Sequence, residues 1–170
     1  MSTLYESICN ANLERILIEN QTKAECLDLA RKLIDGIAKE LSAPQGTLQL
    51  VSPDDRPSIG ATASAQDIMR PNGDLAWEFG FTLRVIHPAN GMSLGQYWGT
   101  FTVRRTGRAF GLSWGKDTLE LRYPELDHSL VVHLASELRD EMLNITTPGG
   151  GSGKMAIGFT AHESPGSSEG

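Results

Sequence analysis

The chain has 170 residues, a formal net charge of −6, and apolar (39%) and charged (21%) fractions too ordinary for a chain disordered throughout. That is material for one soluble domain around one core. No run of about 18 apolar residues is present to cross a bilayer as a helix. The mild acidity disfavours indiscriminate attraction to nucleic acid.

The first residues, Met1 to Glu6, lack the basic and apolar character of a secretory leader. Cys9 and Cys26 then read as reduced thiols rather than a disulfide framework, and a cytoplasmic location is expected. The charge is unevenly spread. Between Ala76 and Tyr123 six basic residues stand against three acidic ones, +3, which leaves −9 for the rest.

In chain order, Ser2 to about Asn20 reads as a helix, with Leu4, Ile8, Leu13, Ile16 and Leu17 near one stripe. Thr22 with Glu25 three residues on has the capping-box pattern and predicts a second helix, carried by Leu27, Ala30, Leu33, Ile34, Ile37 and Leu41. Pro44 ends it, and Thr47 to Val51 reads as a short strand. Residues 52–74 read as a long surface loop, with room for a helical turn or two between Ser64 and Arg70.

Trp77, Phe79, Phe81, Leu83 and Val85 alternate with Glu78, Gly80, Thr82 and Arg84, the pattern of a strand with one buried face. Gln96 to Arg105 predicts the next strand, Thr106-Gly107 a two-residue turn, and Arg108 to Trp114 its partner. That turn sets Val103 against Phe110, Phe101 against Leu112 and Gly99 against Trp114. After a turn at Lys116-Asp117, Leu119, Leu121 and Tyr123 read as a further strand. Asp127 then opens a helix to about Asn144, with Leu130, Val131, Leu134, Ala135, Leu138 and Met142 on its apolar face.

The expected fold is α+β: two N-terminal helices, an antiparallel meander of four to five strands, and a C-terminal helix packed on one sheet face. Residues 1–145 would form the domain and 146–170, rich in Gly and Ser, a flexible, disordered tail. The apolar island Met155 to Phe159 inside that tail reads first as a chance cluster and second as a docking segment.

Catalytic patterns fail on context. Gly111-Leu112-Ser113-Trp114-Gly115 matches a nucleophile elbow, which needs a strand-to-helix turn where this sequence has a hairpin strand. Gly149 to Lys154 lacks the glycine and the hydroxyl residue that a phosphate loop requires. His133 and Glu137 share a helix face without a third ligand nearby, so no metal site and no cofactor are expected.

The polar side of the sheet is left. Trp98 stands there with Arg84, Arg104, Arg122, Thr100 and Thr102, over a floor of Ala109, Gly111, Ser113 and Gly115. Arginines beside an aromatic can hold a carboxylate or phosphate while the ring stacks. The leading expectation is a non-catalytic binding or adaptor protein, its partner a protein segment or a small anionic, nucleotide-like ligand. One alternative is a small hydrolase or metal-dependent enzyme using Asp54, Asp55, His87 and His133 between the sheet and the 52–74 loop. The other is a homo-oligomeric structural protein with Trp98 in a self-interface.

Overall fold

Between Leu4 and Glu40 the chain holds no proline and one glycine, Gly36, and it forms a single helix, α1, over that whole span. The computed structural model describes residues 3–53, 68–115, 117–122, 126–147 and 157–161. The capping box sits at the start of α1: the Glu6 amide donates to Thr3 Oγ1 at 3.2 Å, and the Thr3 amide donates to Glu6 Oε2 at 2.7 Å. The expected break at Thr22 does not occur. Nothing there interrupts the i→i−4 bonds; Thr22 is buried within the helix, and Glu25 forms an ion pair with Arg105 of the sheet instead of capping. The two expected N-terminal helices are therefore one.

The strands are β1 (Leu48–Val51), β2 (Met69–Pro71), β3 (Ala76–Ile86), β4 (Ser93–Thr106), β5 (Ala109–Trp114), β6 (Asp117–Arg122) and β7 (Ile157–Ala161), with α2 (His128–Thr146) between the last two. All pairings are antiparallel, and the order across the sheet is β1-β3-β4-β5-β6. β2 extends the β1 side of β3, and β7 pairs the first half of β4, whose second half pairs β5. The helical turns expected between Ser64 and Arg70 fall mostly outside the described residues; at their end, Met69 and Arg70 are in β2.

The hairpin differs from expectation by two residues. The central turn residues are Gly107 and Arg108, so Val103 faces Leu112, and Arg105 faces Phe110. Gly107 has φ +63°, and a positive φ at the first central position alone is the type II′ pattern that glycine favours. A slip of two preserves which side each residue faces, so the buried face is the expected one although the partners are not.

That face carries Trp77, Phe79, Phe81, Phe101, Val103, Phe110, Leu112 and Trp114, all buried. Both helices cover it. α1 contributes Cys26, Leu29, Leu33 and Ile37, and α2 contributes Val131, Leu134, Leu138 and Met142. A Cβ at Gly36 would come within 3.0 Å of Val131 Cγ1, so the glycine lets the helices approach. Burial pushes the Cys26 thiol up to about 12, which keeps it neutral and inert. No helix among the described residues is long and apolar enough to cross a membrane.

Two predictions follow from local geometry. A Cβ at Gly80 would lie 2.7 Å from the carbonyl oxygens of both Val51 and Ser52, where the chain leaving β1 passes over β3. Gly80→Ala should cost about 1–3 kcal/mol in denaturant unfolding, because the obstructing atoms are backbone; unchanged stability would show that β1 can move away.

The second concerns Asp127, the N-cap of α2, which accepts from the Ser129 amide at 3.0 Å. Hydrogen bonding from Ser129, with a smaller contribution from the neighbouring His128 charge, holds its carboxyl below the usual range. A depressed carboxyl stabilises the fold above its unfolded value and loses that contribution as pH falls. Asp127→Ala should therefore melt earlier than wild type at neutral pH, with the gap closing below about pH 4. A gap independent of pH would dissociate the cap from the ionised carboxylate.

Candidate functional site

The side of the sheet away from the helices carries all six residues expected to form a site, but strung along its length, with the arginines at two separate ends. Arg84 pairs with Gln96 in one row, and the next row along β4 is Thr82–Trp98–Gly158. Eight residues from Gln96, Arg104 pairs with Ala76 and Gly111. At ~3.3 Å per residue those rows lie roughly 26 Å apart. The arginines do not form one cluster.

At the first end the missed element is β7. Its signal was the alternation Ile157, Phe159, Ala161 in a segment whose flanks read as tail. β7 is held by an aromatic-over-glycine contact on each face of the sheet. On the helix side the Phe159 ring lies over Gly95 and packs against Tyr97, centroids 4.8 Å apart. On the other side the Trp98 indole lies over Gly158, and its Nε1 donates to Thr160 Oγ1 at 3.3 Å. Tyr97 is fixed in turn, since its hydroxyl donates to the Met142 carbonyl of α2 at 3.2 Å. Trp98 is thus half-buried against the chain's own last described strand, and Arg84 is exposed beside it.

Thr100 and Thr102 lie between the two ends, both half-buried. Thr102 Oγ1 accepts from Asn72 Nδ2 at 3.1 Å, and its neighbour across the strand, Glu78, forms an ion pair with Arg70. The segment after β2 therefore borders this part of the face.

The second end is more open. Ala109, Gly111 and Ser113 form a floor along β5, walled by Thr102 and Arg104 of β4 and by Thr118, Glu120 and Arg122 of β6. A Cβ at Gly111 would come no nearer than 4.0 Å to anything, the Arg104 carbonyl oxygen. The walls are two strand spacings apart, about 10 Å at ~4.8 Å each. Arg104 and Arg122 are both exposed, and the Arg104 guanidinium leans away from β5, its Nη2 3.5 Å from where a Cβ on Gly73 of the β2–β3 connection would stand. Lying two strands and two residues apart, their Cα atoms are separated by roughly 12 Å. Around the β6 edge a hollow of about 1010 Å³ continues from Arg122 to His128 and His133 of α2.

The groups of the enzyme alternative are not brought together among the described residues. Asp54 and Asp55 lie outside them. His87 accepts from the Ala89 amide at 3.1 Å in the β3–β4 connection, while His133 faces Glu137 on α2 at 3.6 Å. Among the described residues no group of three His, Cys, Asp or Glu side chains is placed to hold a metal ion.

The Trp98 contact gives a direct test. Gly158→Val would drive a side chain into the indole and should detach β7, moving Trp98 emission to longer wavelength while the aromatic core keeps its near-ultraviolet circular dichroism. An unshifted spectrum would mean that β7 and Trp98 are not coupled in this way. Comparison with protein-family models, with curated proteins and with solved structures finds no match to this chain.

Proposed function

We propose that this chain is a non-catalytic binding or adaptor protein that holds an extended, acidic protein segment in the trough over β5. The observation that carries the reading is the placement of Arg104 and Arg122, both exposed, on opposite walls of a floor of Ala109, Gly111 and Ser113. Small floor residues let a ligand backbone lie close to the sheet; Arg122 supplies a bidentate donor on the β6 wall, and Arg104, whose guanidinium rests against Gly73 of the β2–β3 connection, swings back over β5 to supply the second. Glu120, across the floor from Arg104 and two residues from Arg122 on β6, favours a segment whose acidic residues are spaced rather than continuous. A width of about 10 Å suits one extended chain. The surplus of positive charge in the middle of the sequence, against an acidic remainder, supports an acidic partner over a basic one. The free thiols Cys9 and Cys26 suit a reducing compartment, and we place the protein in the cytoplasm on that ground.

A fluorescent peptide of about ten residues, with aspartates alternating with small apolar residues, serves as the probe. It should bind wild type with an affinity that falls as salt is raised. Arg104→Glu/Arg122→Glu should weaken binding about 10–100-fold, on the order of 1.4–2.8 kcal/mol, with the melting temperature unchanged. Arg84→Glu, at the far end of the face, should leave it intact. Equal losses for both variants would reduce the effect to bulk charge and remove the trough. Binding of a nucleoside triphosphate but no peptide would move the assignment to an anionic small molecule.

A further inference from the structure

Among the described residues, nothing buries the first half of α1. The first buried residue of the helix is Thr22, and before it Leu4, Tyr5, Ile8, Leu13, Ile16, Leu17 and Ile18 are all exposed. Taking ~190 Å² for a fully exposed large apolar side chain, these seven present roughly 800 Å² to solvent. A specific protein interface removes about 800 Å² per partner, somewhat over half of it apolar, and the four of these residues that share one side of the arm, Tyr5, Leu13, Ile16 and Leu17, present roughly 470 Å² of apolar surface. A helix apolar on most sides is one that is covered on most sides.

Two directions around this arm can be separated. Ala11, Arg15 and Ile18 line an open crevice against Pro71, Leu75 and Trp77, so that side looks toward the sheet. At 3.6 residues per turn, Tyr5, Cys9, Leu13, Ile16 and Leu17 fall on the opposite side, away from the domain. Glu6 falls within that stripe, between the directions of Leu13 and Leu17, and its carboxylate is engaged in the capping box.

We propose that the outward stripe is the interface with a second copy of this chain, the two arms packing antiparallel about a twofold axis at the level of Ala11. The spacing from Tyr5 to Cys9 is mirrored by that from Leu13 to Leu17. Antiparallel pairing therefore sets Tyr5 of each copy opposite Leu17 of the other, and Cys9 opposite Leu13. A pattern that mirrors itself is what an isologous interface requires, and the same register sets Ile16 opposite Glu6, whose carboxylate is already engaged by the Thr3 amide. The length agrees independently. In this register the arm tip at Thr3 lies level with Glu19 of the other copy, so the overlap ends just before Thr22, where burial in the domain begins. The pairing uses nearly the whole arm, about 25 Å at ~1.5 Å per residue, and the two domains sit at opposite ends of it. It leaves the trough over β5 untouched, so failure of either proposal does not affect the other.

The test is the mass of the full-length protein by sedimentation across micromolar concentrations, with Cys9 reactivity toward a maleimide as a local probe. Wild type should be a dimer in which Cys9 reacts slowly. Leu13→Glu/Leu17→Glu should be a monomer with fast Cys9 labelling and with Cys26 still unreactive, the sign that its core is intact. Mild oxidation of Leu13→Cys should link two chains through Cys9, and Cys9→Ser in that background should abolish the link. A wild-type monomer with accessible Cys9 overturns the proposal. A monomer with protected Cys9 also overturns it, in favour of the chain's own C-terminal segment as the cover. A dimer that survives Leu13→Glu/Leu17→Glu places the interface elsewhere.

Discussion

Four aromatic rings from three strands set the geometry of the sheet. Phe79 stacks on Phe101 with centroids 5.5 Å apart and planes 18° from parallel, and Phe101 stacks on Trp114 at 5.0 Å and 20°. Phe81 closes the group, tilted 60° against Trp114 at 5.1 Å. Such pairs contribute about 0.5–1.5 kcal/mol each beyond area burial, and they act only at one registration of β3, β4 and β5. The stack holds Trp114 although its indole N–H meets no acceptor among the described residues, a cost of about 1–3 kcal/mol that the surrounding apolar contacts offset. Shifting β5 to the pairing expected from a Thr106-Gly107 turn would move Trp114 from beside Phe101 to beside Gly99 and break the stack.

This explains which parts of the fold were legible. The buried face of β3, β4 and β5 follows from strict alternation, which is insensitive to a slip of two, so Phe79, Phe101, Val103 and Leu112 could be placed on it without knowing their partners. The registration could not be read the same way, because it depends on whether Gly107 stands first or second in the turn and on ring contacts between three strands. α2 was legible at both ends because Asp127 and its apolar stripe are local signals. The continuity of α1 was not. Thr22 and Glu25 carry a cap pattern that any helix interior tolerates, and only Arg105, some eighty residues later, shows what Glu25 is used for.

The candidate site divides along the same line. That Trp98 and the three arginines share a face is a matter of parity and could be read from the sequence. How far apart they stand depends on strand length and order. β4 runs for fourteen residues, long enough to hold two different neighbours, β7 and β5, along one edge. What looked like one basic, aromatic surface is therefore a covered end around Trp98 and an open end around Arg104 and Arg122. The helix arm was legible in composition, since Leu4, Ile8, Leu13, Ile16 and Leu17 were expected on a helix. That no described part of the domain buries them was not, because burial is a property of the assembled layers.

The edge shared by β5 and β7 has a kinetic consequence. Pairings among β3, β4, β5 and β6 close short loops, and a meander of this kind assembles early because little chain entropy is lost in each closure. β7 must return across 62 residues to reach Trp98, with α2 already lying on the sheet to receive Tyr97. The strand that shields Trp98 is thus the last to arrive. During assembly the first half of β4 passes through a stage with open backbone donors and acceptors between a glycine and an indole, a vacancy that another chain's extended segment could fill before the protein's own does.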